Sequence, residues 1–330
     1  MSILVTGGAG YIGSHTVRML REQGHDVVVL DSMEYGYEAA LLGAELHVGN
    51  IRDRDAVSAL CRGRGITQAV HFAAYKSVGE SMEQPERYWM NNVAGTVDLL
   101  EGLLAGGVRD IVFSSSCSVN GTPASNPVTE DAPIAPESVY AETKAMVERI
   151  LHWYAVTRYV RAVSLRYFNA AGASADAKIG EDWARSLNLI PLVMKATLGR
   201  APSVKVFGND YPTPDGTCIR DYIHVDDLAD AHIKALAHLA RQGAEGYDIA
   251  LNVGTGVGSS VLEVITATER ISGRSVPYEL APRRAGDPVA TFADPTRITA
   301  TLGWTPTRSL DDIITSAWQW HSTHLDGYAG

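Results

Sequence analysis

The segment Thr6-Gly7-Gly8-Ala9-Gly10-Tyr11-Ile12-Gly13 constrains this chain more than any other. It follows the apolar run Ile3-Leu4-Val5 and opens an amphipathic stretch from about Ser14 to Gln23, closed by Gly24. Gly7, Gly10 and Gly13 allow a tight turn and a close backbone approach to a pyrophosphate. The helix that follows offers free N–H groups and the positive end of its dipole. A second apolar run, Val27 to Leu30, ends at Asp31, 18 residues after Gly13. A carboxylate at that place accepts both adenosine ribose hydroxyls and repels a 2′-phosphate, which favours NAD over NADP. Strand, glycine turn, helix, strand and acid in this order predict a dinucleotide-binding βαβ unit.

Further apolar runs at Ala69–Ala74, Ile111–Phe113 and Val163–Leu165 are separated by stretches of helical period, such as Val93, Val97, Leu100 and Leu104. Continuous apolar strands between helices predict an α/β, Rossmann-type doubly wound parallel sheet covered on both faces. The pattern weakens after Phe168, and residues 172–218 are rich in Gly, Pro, Asp and Asn, which predicts loops. Order returns at Leu251-Asn252-Val253 and in the helical pattern from Val261 to Ile271. A length of 330 residues suits about two units. The expected division is an NAD-binding domain over 1–168, with some later segments returning to it, and a smaller C-terminal α/β substrate-binding lobe over 169–330.

Charge and cysteine content narrow the partners. With 38 acidic and 28 basic residues the net charge is −10, which speaks against nucleic acid and against an anionic membrane surface. The three cysteines show no CxxC spacing, so neither a disulfide framework nor a zinc site is expected, and no histidine pair has metal spacing. With no signal-like or membrane-spanning apolar stretch, a cytoplasmic protein is expected.

Tyr140-Ala141-Glu142-Thr143-Lys144 places a tyrosine and a lysine on one face if helical. A phenol with a pKa of about 10 is a poor base at neutral pH. A neighbouring ammonium favours the phenolate, so Tyr140 could take a proton from a hydroxyl while hydride leaves the same carbon. Ser116 ends the strand that runs through Ser114, at the carboxyl edge where open α/β sheets bind ligands. Its hydroxyl is expected to bridge Tyr140 and a substrate oxygen.

TGGAGYIGSH, the FSSS strand end, YxxxK, Arg166-Tyr167-Phe168-Asn169 and Arg220-Asp221-Tyr222-Ile223-His224-Val225 occur here in one order. Together they resemble the extended short-chain dehydrogenase/reductase family. Val78-Gly79-Glu80-Ser81 and Phe207-Gly208-Asn209-Asp210-Tyr211-Pro212-Thr213 resemble its nucleotide-sugar 4-epimerase branch. The resemblance implies inversion at C4 of a UDP-hexose through a transient 4-keto sugar, with tightly bound NAD regenerated at each turnover and Tyr140, Lys144 and Ser116 as the catalytic set.

By the same resemblance, Tyr11, Ile12, Asp31, Asn50 and Ile51 touch NAD. So do Phe72, Ala73, Ala74, Lys76, Asn91, Tyr140, Lys144 and Phe168, beside the glycine turn. Ser116, Tyr140, Asn169, Asn188, Leu189 and Lys205 are implied to line the UDP-sugar pocket. Val206, Phe207, Arg220, Arg284, Asp287 and Thr291 are implied to complete it. The guanidinium forks of Arg220 and Arg284 suit a diphosphate.

The chain departs from the family pattern at three places. Asn50 stands where Asp is usual, Asn120 stands where Tyr is usual, and Thr291 stands where some members carry a Tyr that narrows the pocket beside the sugar C2 substituent. A small Thr291 implies that UDP-GlcNAc and UDP-GalNAc are accepted as well as, or instead of, UDP-glucose and UDP-galactose. Cys117, His71 and His224 read as buried structural residues. Val93, Val97, Leu100 and Leu104, with Val147, Ile150, Leu151 and Tyr154, could simply face the sheet. In the family the equivalent helices commonly form a four-helix interface, which implies a homodimer. Two other functions compete: a nucleotide-sugar 4,6-dehydratase or ketoreductase on the same fold, and a non-catalytic NAD-binding regulator. The first lacks its acidic pair at Ser116-Cys117-Ser118, and the second would not need both Tyr140 and Lys144.

Overall fold

The structure, a computed structural model, describes residues 2–184, 186–284 and 286–329. Six strands come first: β1 (Ser2–Thr6), β2 (Asp26–Asp31), β3 (Glu45–Val48), β4 (Ile66–His71), β5 (Asp110–Ser114) and β6 (Arg161–Tyr167). The chain then leaves through short strands β7 (Asn169–Ala171), β8 (Val204–Phe207), β9 (Ile219–Arg220) and β10 (Tyr222–His224), and returns as β11 (Tyr247–Val253). β1–β6 and β11 form one seven-stranded sheet in the order β11-β6-β5-β4-β1-β2-β3. All its pairings are parallel; Leu4, for example, faces Val28 on one side and Ala69 on the other. The order in which successive strands are added reverses between β1 and β4, and the crevice outside that point is where such sheets take ligands.

Helices α1 (Tyr11–Glu22), α2 (Arg54–Arg64), α3 (Val78–Glu83), α4 (Pro85–Tyr88), α5 (Gly95–Ala105) and α6 (Val139–Arg158) lie among the first strands. Beyond them come α7 (Leu189–Thr197), α8 (Val225–Leu239), α9 (Val261–Ser272), α10 (Thr296–Leu302) and α11 (Leu310–Thr323). Because side chains alternate along a strand, Ile3 and Val5 join the core shared with Val17, Leu228 and Trp304, while Leu4 joins the opposite core with Val57, Leu99 and Leu151. Burial on both faces is why these strands read as unbroken apolar runs.

A third core gathers Ile190, Val193, Val204, Val264, Ile265, Ile313 and Ile314 from α7, α9, α11 and β8. The stretch expected to be loops thus holds α7 and β8. The helix is only nine residues long and carries Pro191 at its third position, so it is hidden within a stretch rich in Gly and Pro. Around this core sit β12 (Ser259–Ser260), β13 (Tyr278–Ala281) and β14 (Ala290–Thr291). β13 pairs with β8, and β9 carries β12 on one side and β14 on the other.

The buried histidines include His71, His224, His232 and His321. His71 sits between the hydroxyls of Thr6 (2.8 Å) and Thr96 (3.0 Å), a satisfied core residue as expected. Burial pushes His71 and His321 down to about 3, and His224 and His232 down to about 4. Unfolded, each protonates near its ordinary value of about 6.5. The unfolded chain therefore binds more protons between these values, and stability that is full above about pH 6.5 is lost as pH falls toward 4. The slope reaches about 1.4 kcal/mol per pH unit for each histidine. Thermal melts across this range should show Tm dropping steadily on the acid side, and a flat profile would contradict the burial argument.

Candidate active site

The glycine turn connects β1 to α1 at the reversal point. Gly7 has φ +71°, and a Cβ there would lie 2.6 Å from the backbone nitrogen of Ala73; one on Gly13 would lie 2.3 Å from the Gly7 carbonyl oxygen. Only glycine lets β1, the crest after β4 and the start of α1 approach this closely. The N-cap of α1 is Gly10, which has no side chain to cover the helix N-terminus. At the tip of β2, Asp31 accepts from the N–H groups of Ala9 (3.0 Å) and Met33 (2.9 Å), which fixes its carboxylate beside the turn. An open cradle with a fixed acid fits an adenosine pyrophosphate; among the described residues no three His, Cys, Asp or Glu cluster as a metal site.

The crest after β4 supplies the next wall. The N–H groups of Phe72 and Ala73 both donate to the Thr6 carbonyl (2.9 and 3.1 Å). The Phe72 ring rests 4.6 Å from His232. Ile51 and Phe168 are buried, whereas the Lys76 side chain is 62 % exposed. Asn91 lies in a π-helical turn, Trp89–Ala94, and donates to Asn92, which in turn holds the backbone of Tyr75. Such turns recur at functional sites. Asn50 caps a turn through the Arg52 N–H.

Tyr140 and Lys144 stand one turn apart on α6. Ser138 caps this helix through the Ala141 N–H (3.2 Å), and the Ser81 hydroxyl accepts from the Tyr140 N–H (3.1 Å). This gives the Val78–Ser81 motif a physical role: it satisfies an orphan donor at the helix start. Lys144 Nζ donates to the Ser114 carbonyl (2.7 Å) and lies 4.8 Å from the Phe113 ring centroid and 5.8 Å from that of Tyr140. Contrary to the sequence expectation that Ser116 ends this strand, β5 stops at Ser114 and Ser116 caps the short 3-10 turn Cys117–Asn120 just beyond it; its hydroxyl sits 2.8 Å from that of Ser118. Behind the site, Ser115 donates to Glu148, and Arg166 forks onto the same carboxylate.

The electrostatics differ from the sequence expectation. Burial pushes the Tyr140 phenol well above its ordinary value, with the Tyr167 phenol adding to the rise and the Ser116 hydroxyl opposing it. Burial also lowers Lys144 to about 7, against the pull of Glu148. Removing both groups from water outweighs their mutual attraction. The pair thus holds an ionisable proton on Tyr140 beside an amine close to neutrality, poised for a further positive charge to favour the phenolate. Tyr167, whose phenol helps to raise that of Tyr140, was quoted in the sequence only within the Arg166–Asn169 motif and given no role there. Its signal was its place at the end of β6, one residue before Phe168. Cys117, expected to be buried, is half-buried, and burial lifts its thiol to about 12.

The substrate-side residues gather less tightly. Arg220 donates to the carbonyls of Ile219 (2.8 Å) and Pro288 (2.9 Å) and approaches Asp287 at 3.5 Å. The Arg284 guanidinium stacks 4.2 Å over the Phe207 ring. Lys205 and Asn169 are exposed, and Leu189 is half-buried at the start of α7. Val206 is 1 % exposed within the second-lobe core, so only its backbone is available to a ligand. Asn188 donates to Glu181 (2.8 Å). Thr291 pairs with Arg220 across β14 and β9, and its buried hydroxyl has no hydrogen-bond partner among the described residues. Asn120 turns its amide to the carbonyls of Ala132 and Pro133, fixing the loop beside the catalytic wall.

A glycine cradle with its acid, and a Tyr–Lys–Ser set at the sheet's carboxyl edge, define a dinucleotide-dependent enzyme acting on a hydroxyl-bearing substrate. The model of the NAD dependent epimerase/dehydratase family matches residues 3–254, and the chain belongs to that family. The chain is 45 % identical over 330 residues to UDP-glucose 4-epimerase of Halalkalibacterium halodurans, covering 100 % of this chain and 98 % of that protein. Among solved structures it resembles UDP-glucose-4-epimerase from Stenotrophomonas maltophila with bound NAD and formylated UDP-arabinopyranose. The TM-score is 0.95 at 42 % identity, over 98 % of this chain and 99 % of that one. It also resembles the UDP-Glc/GlcNAc 4-epimerase of Campylobacter jejuni, with TM-score 0.85 at 38 % identity, over 98 % and 99 % of the two chains.

Proposed function

We propose that this chain is an NAD-dependent UDP-hexose 4-epimerase. The observation that carries the reading is Tyr140 and Lys144 on one face of α6, beside Ser116 and across the sheet edge from the glycine cradle. NAD, when bound, supplies the acceptor for the C4 hydride of the sugar and the donor that returns it. Tyr140 takes the proton of the C4 hydroxyl and gives it back after inversion. Ser116 orients that hydroxyl, and the Lys144 ammonium stabilises the phenolate. Arg220 and Arg284 grip the diphosphate, leaving the hexose free enough to present either face.

The first strands and helices serve NAD, and the lobe around α7, α9 and β8 serves UDP. Three free cysteines, Cys61, Cys117 and Cys218, fit a cytoplasmic protein. No helix among the described residues is long and apolar enough to cross a membrane.

Purified protein incubated with UDP-glucose or UDP-galactose, without added NAD, should exchange the two epimers. No exchange even with added NAD would overturn the reading.

The small side chain of Thr291, its hydroxyl without a partner among the described residues, supports acceptance of N-acetylated UDP-hexosamines too. A homodimer through α5 and α6 is supported by the exposed Trp153 (62 %) and Val156 (58 %) on α6. Leu100, Val147 and Leu151 face the core instead, so the sticky face is a different stripe of the same helix. Trp153→Glu should shift the sedimentation coefficient from dimer to monomer; an unchanged value would contradict this interface.

A further inference from the structure

Glu181 is a buried carboxylate, 4 % exposed, outside the Tyr–Lys–Ser set. Its backbone is anchored: Trp320 Nε1 donates to its carbonyl (3.1 Å), and the preceding Gly180 exchanges two hydrogen bonds, each 3.0 Å, with the Tyr328 phenol. One of its side-chain oxygens, Oε1, accepts from three donors. These are the Asn188 amide (2.8 Å), the Ser186 hydroxyl (2.8 Å) and Lys76 Nζ (3.3 Å).

Two of those donors come from opposite sides of the crevice. Lys76 follows β4 on the dinucleotide side, and Asn188 is the N-cap of α7 in the second lobe. An N-cap asparagine ordinarily bonds an N–H of its own helix. Asn188 makes no such bond, and the third helical residue, Pro191, has no N–H to offer. Its amide is therefore available to Glu181. A carboxylate this far from water needs donors, and a cation above all.

We propose that Glu181 is a positioning residue shared by the two binding sites, one oxygen orienting Lys76 toward the dinucleotide and Asn188 toward the UDP-sugar. This rests on the reading that those two residues face those two ligands. The Oε1 of Glu181 is taken up by protein donors, so a change there is expected to reach both ligands through Lys76 and Asn188.

The test uses holoenzyme carrying Glu181→Gln, which keeps the shape and removes the charge. UDP affinity is read by calorimetry, NAD retention by the cofactor left after dialysis, and turnover by KM and kcat. The expected result is UDP affinity weaker by about fivefold and NAD loss faster by about threefold. KM for UDP-galactose should rise with kcat changed by less than about threefold, a split that general loosening of the fold would not give. Asn188→Ala should weaken UDP in the parent and add less than about twofold in the Glu181→Gln background.

Lys76→Met, at an exposed position that leaves the core intact, should weaken UDP by about threefold in the parent and not in Glu181→Gln. Additive effects, or a change confined to one ligand, would overturn the shared anchor while leaving the site reading intact. If Asn188→Ala spares UDP and Lys76→Met spares NAD, the site reading fails and the proposal falls with it.

Discussion

Tyr140→Phe is expected to lower kcat by about 10³-fold, about 4 kcal/mol of barrier, while UDP affinity changes by less than about twofold. The ring stays, so the packing of α6 against the crest and the strand end is kept. Only the oxygen that moves the proton is lost. Tyr140 is 7 % exposed, and its phenol is held above its ordinary value by burial, so water cannot easily replace it. Lys144→Met should cost turnover as well, because no other cation among the described residues is recorded beside the Tyr140 ring. Single-turnover measurements with UDP-galactose check both variants. A Tyr140→Phe enzyme retaining a tenth or more of parental kcat would remove Tyr140 from the chemistry.

Thr291→Tyr is the second large effect. The parent is expected to interconvert UDP-GlcNAc and UDP-GalNAc as well as the unacetylated pair. A tyrosine at 291 should lower kcat/KM for the acetylated pair by about 100-fold and leave the unacetylated pair within about threefold. The physical reason is local. Thr291 lies on the two-residue strand β14, whose backbone is fixed by pairing with β9 and by Asn126 on the neighbouring Ala290 carbonyl. A bulky ring there cannot be relieved by moving the strand and must project into whatever space the threonine leaves. Turnover of the unacetylated pair alone, with Thr291→Tyr changing nothing, would refute this.

Much of the architecture was legible in the chain because it is local. The runs Ile3–Val5 and Val27–Leu30 are strands, the glycine turn does join β1 to α1, and Tyr140 and Lys144 do share a helix. Each rests on a period or a spacing within a few residues. The helix α7 was missed because it is short, holds a proline at its third position and lies in a stretch rich in Gly and Pro. The role of Ser81 was legible only as part of a motif; its contact with Tyr140 spans 59 residues of sequence. Tyr167 was legible only as part of a motif, and Glu181 carried no local mark at all.

Charge shows the same boundary. A net charge of −10 argues against a polyanionic surface as partner, yet it says nothing about small anions held in pockets. What the sequence determined by itself was the set of parts: a phosphate turn needing glycine, an acid after the second strand, a phenol and an ammonium four residues apart. Tertiary structure decided what surrounds them. Burial, a property of the whole packed chain, pushes Tyr140 up and Lys144 down against the expectation from their spacing. It also places Lys76 and Asn188, 112 residues apart in sequence, on one oxygen of Glu181. Spacing sets which groups can meet on one helix; only the packed fold sets how much water they lose and which distant groups they meet.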